Sequence, residues 1–349
     1  MAGLVRNCIQ KVDKLSFPFT PPDPFLFLVY HKDEYPAGNG KMEAPRRGNG
    51  MDFDPSAEYR MYHGEKVPGF PSHPHRGFET LTATIDGLID HSDSLGNAGR
   101  YGFGDNQWMT AGKGICHSEM FPLLNTDKPN PCRFFQIWLN LPAKSKMVDP
   151  FFVMHWKEDV PLYKSDTAEV TVFADGSNLL GKNALPPPPN SWASDPTNEV
   201  AVWHIKIQPG GEFSVPPAKG GSGVNRQLYW IEGKDLVINK SKVSMHAALT
   251  VDAGADETLL RNRDETEMTE VLMLQGKPIK EPVAQHGPFV MNTQAEIQQA
   301  FTDYRATQFG GWPWGRDDQV HSDKGRFALQ NGKEELPPTD KAAAAAGEL

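Results

Sequence analysis

Two short histidine motifs constrain the fold and chemistry of this chain more than any other feature. Residues 73–75 read His-Pro-His, and residues 117–119 read His-Ser-Glu, so both motifs use the same i, i+2 spacing. On a β-strand, alternate side chains point to the same face, and each motif then presents both of its ligand-type side chains together. If the two strands line the interior of one barrel, three imidazole nitrogens and one carboxylate oxygen converge.

Such a ligand set is typical of a mononuclear divalent transition metal. Iron, copper, nickel, zinc and manganese all accept imidazole and carboxylate ligands. A single H-x-H or H-x-E motif is also common at surface or structural positions. Both motifs together, each in a Gly-rich stretch that favours strands and turns, favour a metal site. Four protein ligands in an octahedral sphere leave two positions open for water, substrate or dioxygen.

Longer stretches around these motifs resemble the pirin family of the cupin superfamily. The first stretch, VPGFPSHPHRGFET, spans residues 67–80, and the second, residues 101–120, contains the His-Ser-Glu motif. A third, QHGPFVMNT, spans residues 285–293 near the other end of the chain. The likeness runs from about Asp23 to about Thr307.

The resemblance implies an all-β fold of two stacked cupin (jelly-roll-like) β-barrels, with a metal in the N-terminal barrel. Carried onto matching positions, the family's ligands fall on the four residues that the spacing selects: His73, His75, His117 and Glu119. Iron fits best by ligand type and family likeness, whereas copper or nickel would bind at least as tightly by intrinsic affinity. Cupins in general take a ligand from a Glu of the first motif. Glu79 holds roughly that place, and we expect it beside the ligands rather than on the metal.

We predict three segments along the chain. Residues 1–160 form the metal-binding barrel, residues 161–290 a barrel without metal, and residues 291–349 a helix and tail. The second segment contains neither H-x-H nor H-x-E, and its isolated His204 and His246 are expected to be structural. Alternating residues predict strands over 169–173 and 201–207. From Thr293, a capping-box pattern and an apolar stripe predict a helix that packs across the barrels.

A strand over residues 134–141 would place Gln136 among aromatic side chains on a face that looks into the pocket. Gln136 then either orients the substrate, supports a ligand or is a core residue bonded to backbone. Four aromatic residues are candidates for the walls around a flat substrate, with ordinary core packing as the alternative: Phe78, Trp108, Phe134 and Trp138.

The segment from Pro36 to His63 is longer than is typical of pirins at this place. It could cover the mouth of the barrel as a lid or form a solvated loop, and we expect the loop.

Composition and charge narrow the kinds of protein to which this chain can belong. The 32 Gly and 30 Pro residues favour short strands joined by turns. A net charge of −9 argues against direct nucleic-acid binding.

Three cysteines in no paired pattern indicate a reducing compartment, the cytoplasm or alternatively the nucleus. No apolar run approaches the ~20 residues of a membrane span. Closed barrels leave few exposed edges, so we expect a monomer.

The pirin resemblance implies, for some members of the family, quercetin 2,3-dioxygenase activity, in which a flavonol ring opens and carbon monoxide is released. The partners would be a small aromatic polyphenol and O2, and Glu119 would be the catalytic residue that accepts the substrate's hydroxyl proton. The resemblance also implies an alternative, a metal- and redox-sensing transcriptional co-regulator that acts through contacts with another protein. The sequence does not select between these two functions.

Overall fold

The structure is a computed structural model that describes residues 8–48, 53–54, 56–243, 247–322 and 324–340. The strands up to residue 155 are β1 Ile9–Lys14, β2 Phe25–Tyr35, β3 Gly69–His75, β4 Phe78–Asp86, β5 Leu88–Asp93, β6 Ala98–Gly102, β7 Asn106–Thr110, β8 Ile115–Met120, β9 Asn130–Asn140 and β10 Phe151–His155. The next strands are β11 Leu162–Lys164, β12 Ala168–Asp175, β13 Ala201–Ile207, β14 Glu212–Val215, β15 Asn225–Glu232, β16 Leu236–Ile238, β17 Ser241–Lys242, β18 Ala247–Asp252, β19 Thr258–Asn262 and β20 Thr269–Gly276. The last elements are β21 Ala284–His286, β22 Phe289–Met291, the helix α1 Gln294–Thr307, β23 Phe327–Gln330 and β24 Lys333–Glu335.

The chain forms two compact units. Unit 1 comprises the described part of Met1–Leu28 together with Val160–Lys280, and unit 2 comprises Val29–Asp159 with the described part of Glu281–Leu349. The predicted segments 1–160, 161–290 and 291–349 stay a prediction about domains. The two compact units differ from these segments at both chain ends, because β1 pairs with β18 and β23 pairs with β6.

Unit 1 has a seven-stranded sheet in the order β1-β18-β15-β20-β13-β12-β11 and a four-stranded sheet in the order β14-β19-β16-β17. Alternating apolar residues of both sheets form one buried core that includes Trp203 and Trp230. The predicted strand over 201–207 is β13, and the strand over 169–173 lies within β12. His204, on the face of β13 opposite Trp203, pairs with Glu270 at 2.7 Å, which fits the predicted structural role. His246 lies outside the described residues.

Unit 2 carries both histidine motifs. Its six-stranded sheet runs β24-β23-β6-β5-β8-β3, its five-stranded sheet runs β10-β7-β4-β9-β2, and β21 pairs with β22 as a hairpin. The all-β, cupin-like class is therefore confirmed. The expectation of closed barrels is wrong, because in each sheet formed by the described residues the first and last strands do not pair with each other. Side-chain packing between two open sheets, rather than a continuous backbone ladder, forms the interior.

The tight turn between β3 and β4 fixes the position of His75. A Cβ on Gly77, whose φ is +86°, would clash with the Val290 carbonyl of β22, so only glycine permits this close approach. The buried Lys146 ammonium donates to both the Gly77 and Val290 carbonyls, at 2.8 and 3.2 Å. Backbone packing and a buried cation thus hold the end of β3 in one place.

The predicted helix begins where its sequence signals indicate. The Thr293 side chain accepts from the Glu296 backbone N–H, and the Glu296 carboxylate accepts from the Thr293 backbone N–H, which confirms the capping box. Ile297 and Ala300 are buried against the β21–β22 hairpin. No described helix combines the length and the apolar composition that a membrane-spanning helix requires.

The segment 36–63 forms no helix or regular strand in its described residues, as expected for a loop. Its C-terminal end is nevertheless not solvated, because Arg60, Met61 and Tyr62 are buried inside unit 2. The expectation of a solvated loop is therefore wrong for these residues. Their polar groups find partners in the interior, which makes burial tolerable.

A buried ion pair ties the β5–β6 hairpin to the C-terminal segment. The fully buried Arg100 guanidinium donates to Asp90 at 2.6 and 2.7 Å, and also to the Ser322 carbonyl at 3.0 Å. We expect Asp90→Leu to lower the free energy of unfolding by about 3–5 kcal/mol, because it leaves a buried cation without its counter-ion. Denaturant unfolding followed by tryptophan fluorescence measures this loss.

The exposed Lys164–Glu169 pair, at 2.8 Å, provides the control for that experiment. Lys164→Gln should cost less than about 1 kcal/mol, because solvent screens an exposed pair. Equal losses in the two variants would contradict a stabilising role for the buried pair.

Candidate metal centre

The pairing of β3 with β8 brings the two histidine motifs together. The strands are antiparallel neighbours, and His73 lies directly opposite His117. A bulge lies between Phe70 and His73, while Phe70 faces Glu119 across the ladder. Because both motifs have i, i+2 spacing, their side chains project from the same face of the sheet into the interior of unit 2.

Three histidine rings converge at this place. Ring centroids of His73, His75 and His117 lie 4.6 to 4.9 Å apart, and one nitrogen of each ring lies within 4.8 Å of the others. Among the described residues, this is the group of His, Cys, Asp and Glu side chains arranged closely enough to hold a metal ion. The role of these residues as ligands stays a prediction.

The nitrogen positions suit a shared cation. The His73 Nδ1 lies 2.8 Å from the Pro71 carbonyl, so Nδ1–H donates there and Nε2 keeps its lone pair. His73 Nε2 lies 3.1 Å from His75 Nε2. Two nitrogens bound to one metal at about 2.1 Å are ~3.0–3.4 Å apart, depending on geometry. The Pro71 carbonyl, rather than Glu79 or Gln136, therefore sets the tautomer of His73.

His117 is fully buried, yet neither of its ring nitrogens has a hydrogen-bond partner among the described residues. Buried polar atoms are normally satisfied, so an orphaned imidazole inside a histidine cluster fits a metal ligand. Burial lowers the pKa of His73 to about 4, and it lowers the pKa values of His75 and His117 well below the usual range. Neutral imidazole, the form that binds metals, is thus favoured.

Glu119 lies beside the histidines without joining their tight cluster. Its Oε2 is 3.9 Å from His117 Nε2, and it accepts from Gln136 Nε2 at 2.6 Å. Its Oε1 accepts from the Thr82 hydroxyl at 2.9 Å. Burial raises the pKa of Glu119, although these hydrogen bonds oppose the shift. Each oxygen retains one further lone pair for a cation or a proton.

Two of the four aromatic residues expected to line the site lie against His75, one of the predicted ligands. The rings of Phe78 and Trp138 lie 4.9 and 5.3 Å from His75, centroid to centroid. Phe134 lies on the same face of β9 and stacks on His31 at 4.2 Å. These positions confirm that the predicted face of β9 looks into the site.

Glu79 and Trp108 are placed differently from the expectation. Phe78 and Thr82 of β4 face the site, so Glu79 points to the other side of the five-stranded sheet. There its carboxylate accepts from the Trp108 indole at 3.1 Å and from the Thr110 hydroxyl at 2.6 Å. The expectation that Glu79 supports the ligands and that Trp108 lines the pocket is therefore wrong, because strand alternation turns both away.

The sequence analysis missed a buried polar group next to the site. His31 Nδ1 lies 2.7 Å from the Tyr62 hydroxyl, which donates to Asp33 at 2.9 Å. Asp33 also accepts from Arg60 at 2.8 and 3.2 Å. His31 and Asp33 occur at i, i+2 in β2, so alternation could have flagged them, whereas nothing in the sequence indicates their partners from the segment 36–63.

We expect His31 to make stability depend on pH. Burial, with a smaller contribution from the Arg60 charge, lowers the pKa of His31 to about 3, against about 6.5 in an unfolded chain. The unfolded state then binds more protons, so this stability is complete above pH ~6.5 and is lost as the pH falls toward 3. Between pH 7 and pH 5, wild type should lose about 2 kcal/mol more than His31→Phe. Denaturant unfolding of both proteins at the two pH values measures this, and equal losses would contradict it.

Comparison with known proteins agrees with this architecture. A family model described as Pirin matches residues 23–139, and one described as Pirin C-terminal cupin domain matches residues 202–310. Pirin of Homo sapiens is 34% identical over 264 residues, covering 74% of this chain and 84% of the human protein. Pirin-1 of Arabidopsis thaliana is 35% identical over 311 residues, covering 88% of this chain and 89% of that protein.

A solved structure is also similar along most of the chain. The crystal structure of quercetin 2,3-dioxygenase from Acinetobacter baumannii superposes with a TM-score of 0.66 at 25% sequence identity, covering 87% of this chain and 98% of the other. The two family models, the relatives above 30% identity and the two-sheet cupin-like architecture lead to one conclusion. This chain belongs to the pirin family.

Proposed function

We propose that this protein is a metal-dependent quercetin (flavonol) 2,3-dioxygenase that opens the heterocyclic ring and releases carbon monoxide. The observation that carries the proposal is the convergence of three neutral imidazoles and one buried carboxylate between two sheets. The similarity to the Acinetobacter baumannii quercetin 2,3-dioxygenase, at 25% identity and a TM-score of 0.66, supports the reaction class.

We assign one mononuclear divalent metal, most simply iron, to His73, His75, His117 and Glu119. Nitrogen and oxygen donors fit such an ion, and the orphaned nitrogens of His117 would gain a partner. When bound, the ion would act as a Lewis acid that stabilises negative charge on a substrate oxygen. The Pro71 carbonyl holds the His73 ring in the tautomer that leaves Nε2 available.

The protein's own groups then have separate tasks. Glu119 accepts the proton of the acidic flavonol hydroxyl on a carboxylate oxygen, while Thr82 and Gln136 hold that carboxylate in place. The rings of Phe78 and Trp138 beside His75 supply flat apolar contact for an aromatic substrate and limit the access of water. His73 is more exposed than His75 and His117, so substrate and O2 would approach from its side.

The ligand assignment is tested by metal content. We expect near-stoichiometric metal, one ion per chain, in wild type after loading with iron. His75→Ala and Glu119→Ala should each lose nearly all of it while keeping the fold, because the core of unit 2 does not depend on these two side chains. Elemental analysis and circular dichroism on the same samples measure both quantities.

Glu79→Gln is the matched control, since Glu79 is buried in the same unit but faces away from the site. It should retain wild-type metal content. Near-stoichiometric metal in His75→Ala or Glu119→Ala would refute the ligand set, and two ions per chain in wild type would refute the single site.

Turnover is tested by an aerobic quercetin assay on iron-loaded and chelator-treated protein from one preparation. We expect the loss of flavonol absorption, with release of carbon monoxide, only in the loaded sample. The metal supplies the charge stabilisation, so its removal should lower the rate by at least ~100-fold. Full metal occupancy without turnover would contradict the dioxygenase proposal and direct the search toward protein partners.

A further inference from the structure

The third sequence motif, QHGPFVMNT at residues 285–293, supplies none of the predicted ligands, yet its backbone contacts the strand that carries two of them. The motif forms most of the β21–β22 hairpin, which lies against the two-residue turn between β3 and β4. The Arg76 backbone N–H donates to the Pro288 carbonyl at 3.3 Å, and the Val290 N–H donates to the Arg76 carbonyl at 3.0 Å. The hairpin therefore holds the residue that directly follows His75.

Other contacts hold the same turn from further directions. The Gly77 backbone N–H donates to the Gly112 carbonyl at 2.9 Å. The Arg76 guanidinium donates to the Lys113 carbonyl at 2.6 Å and to the Asp303 carboxylate of α1 at 2.7 Å. Three of the four backbone polar groups of the turn are thus bonded to other backbone groups. The fourth, the Gly77 carbonyl, is left for a side chain.

That side chain is Lys146, which is 1% exposed. Its Nζ donates to the Gly77 carbonyl at 2.8 Å, to the Val290 carbonyl at 3.2 Å and to the Asn140 side-chain oxygen at 2.7 Å. An ammonium has three N–H donors, so all of them are used. The two backbone carbonyls direct their negative ends at one nitrogen, and a positive charge there offsets the repulsion between them. Lys146 thereby joins the turn to the hairpin.

The three acceptors of Lys146 are all neutral. The nearby Glu281 carboxylate accepts from the Ala143 backbone N–H at 2.6 Å, and the Glu296 carboxylate accepts from the Thr293 N–H at 2.8 Å. Burial lowers the pKa of Lys146 to about 8, and the charges of Glu281 and Glu296 oppose this shift, so the ammonium still predominates at neutral pH. A buried charge is costly, and an apolar side chain would suffice here if packing alone mattered.

His75 is the predicted ligand whose position depends most directly on this turn. It is the last residue of β3, and its pairing with Ile115 is the last rung of the ladder between β3 and β8. Its Nε2 lies 3.1 Å from the Nε2 of His73. Because metal–ligand distances vary by only about 0.2 Å, a displaced turn would take His75 out of binding position.

We propose that Lys146 is a positioning residue whose ammonium fixes the β21–β22 hairpin on the 76–77 turn and so holds His75 where it can bind the metal. The inference rests on the proposed function, since it takes His75 as a ligand. It gives the motif at 285–293 a task, which is to supply the backbone groups that hold the turn. The charge is the essential property of Lys146, because one nitrogen must satisfy two carbonyls that face each other.

Cobalt(II) binding followed by visible absorption tests the inference, because the d–d bands of the ion report its coordination. Wild type, Lys146→Met, Lys146→Gln and His75→Ala are titrated with cobalt chloride under identical conditions. Lys146→Met keeps much of the side-chain volume and removes the charge with all three donors. We expect it to bind cobalt 10- to 100-fold more weakly than wild type, as with other groups that orient metal ligands. At saturating cobalt, its spectrum should shift toward that of His75→Ala.

Asp90→Leu is the matched control, because it also disrupts buried charge in unit 2. Asp90 lies in β5, where its carboxylate pairs with Arg100 on the face of the six-stranded sheet that points away from the site. This variant should lose stability and keep the wild-type cobalt affinity and spectrum. Circular dichroism establishes that each protein is folded. Lys146→Gln, whose amide can still donate to one carbonyl, decides the question if Lys146→Met does not fold.

The outcomes separate this inference from the proposed function. If wild type binds no cobalt, or if His75→Ala has the wild-type affinity and spectrum, the ligand assignment fails and the inference fails with it. If His75→Ala differs from wild type while the folded Lys146 variants retain the wild-type affinity and spectrum, the positioning role alone is overturned. A shift in Asp90→Leu equal to that in Lys146→Met would also overturn it, since a general loss of stability would then suffice.

Discussion

The antiparallel register of β3 and β8 is the constraint on which the site depends. His73 lies opposite His117, and each partner motif continues at i+2, so one pairing places all four predicted ligands on one face. A slip of β3 by one residue would turn His73 and His75 to the opposite face from His117 and Glu119. The register is secured at the end of β3, where Gly77 meets the Val290 carbonyl and Lys146 binds both carbonyls. Backbone packing outside the site therefore helps to decide whether the predicted ligands converge.

Unit 2 buries two ion pairs in its interior. Asp90 with Arg100 and Asp33 with Arg60 are bidentate ion pairs inside the protein, so neither charge is left alone. The histidines of the site differ. The nitrogens of His117 have no hydrogen-bond partner among the described residues, although the ring is fully buried. An imidazole without a hydrogen-bond partner, inside a cluster of three histidines, fits a prospective metal centre.

The sequence predicted strands and the start of the helix correctly where short-range periodicity or a capping motif indicates them. The strand over 201–207, the helix that begins after Thr293 and the pocket-facing side of β9 all follow from short-range patterns. The sequence was a poorer guide to whether a given side chain faces the site, because that depends on which face of the sheet the residue occupies. Glu79 is next to Phe78 in the chain, but one residue faces the site and the other faces Trp108. Closed barrels were expected, and open sheets packed through their side chains were found, because ladder closure is a property of whole sheets.

The sequence by itself determined the residue types of the predicted ligands, their i, i+2 spacing, the β-rich class and the family, since these depend on residue identity and local geometry. Only the tertiary structure decided that Glu119 is held by Thr82 and Gln136, and that the segment 36–63 sends Arg60 and Tyr62 into the interior. These contacts join residues that are distant in the chain. Their existence depends on the free energy of burying and pairing polar groups in a shared interior, which no local pattern encodes.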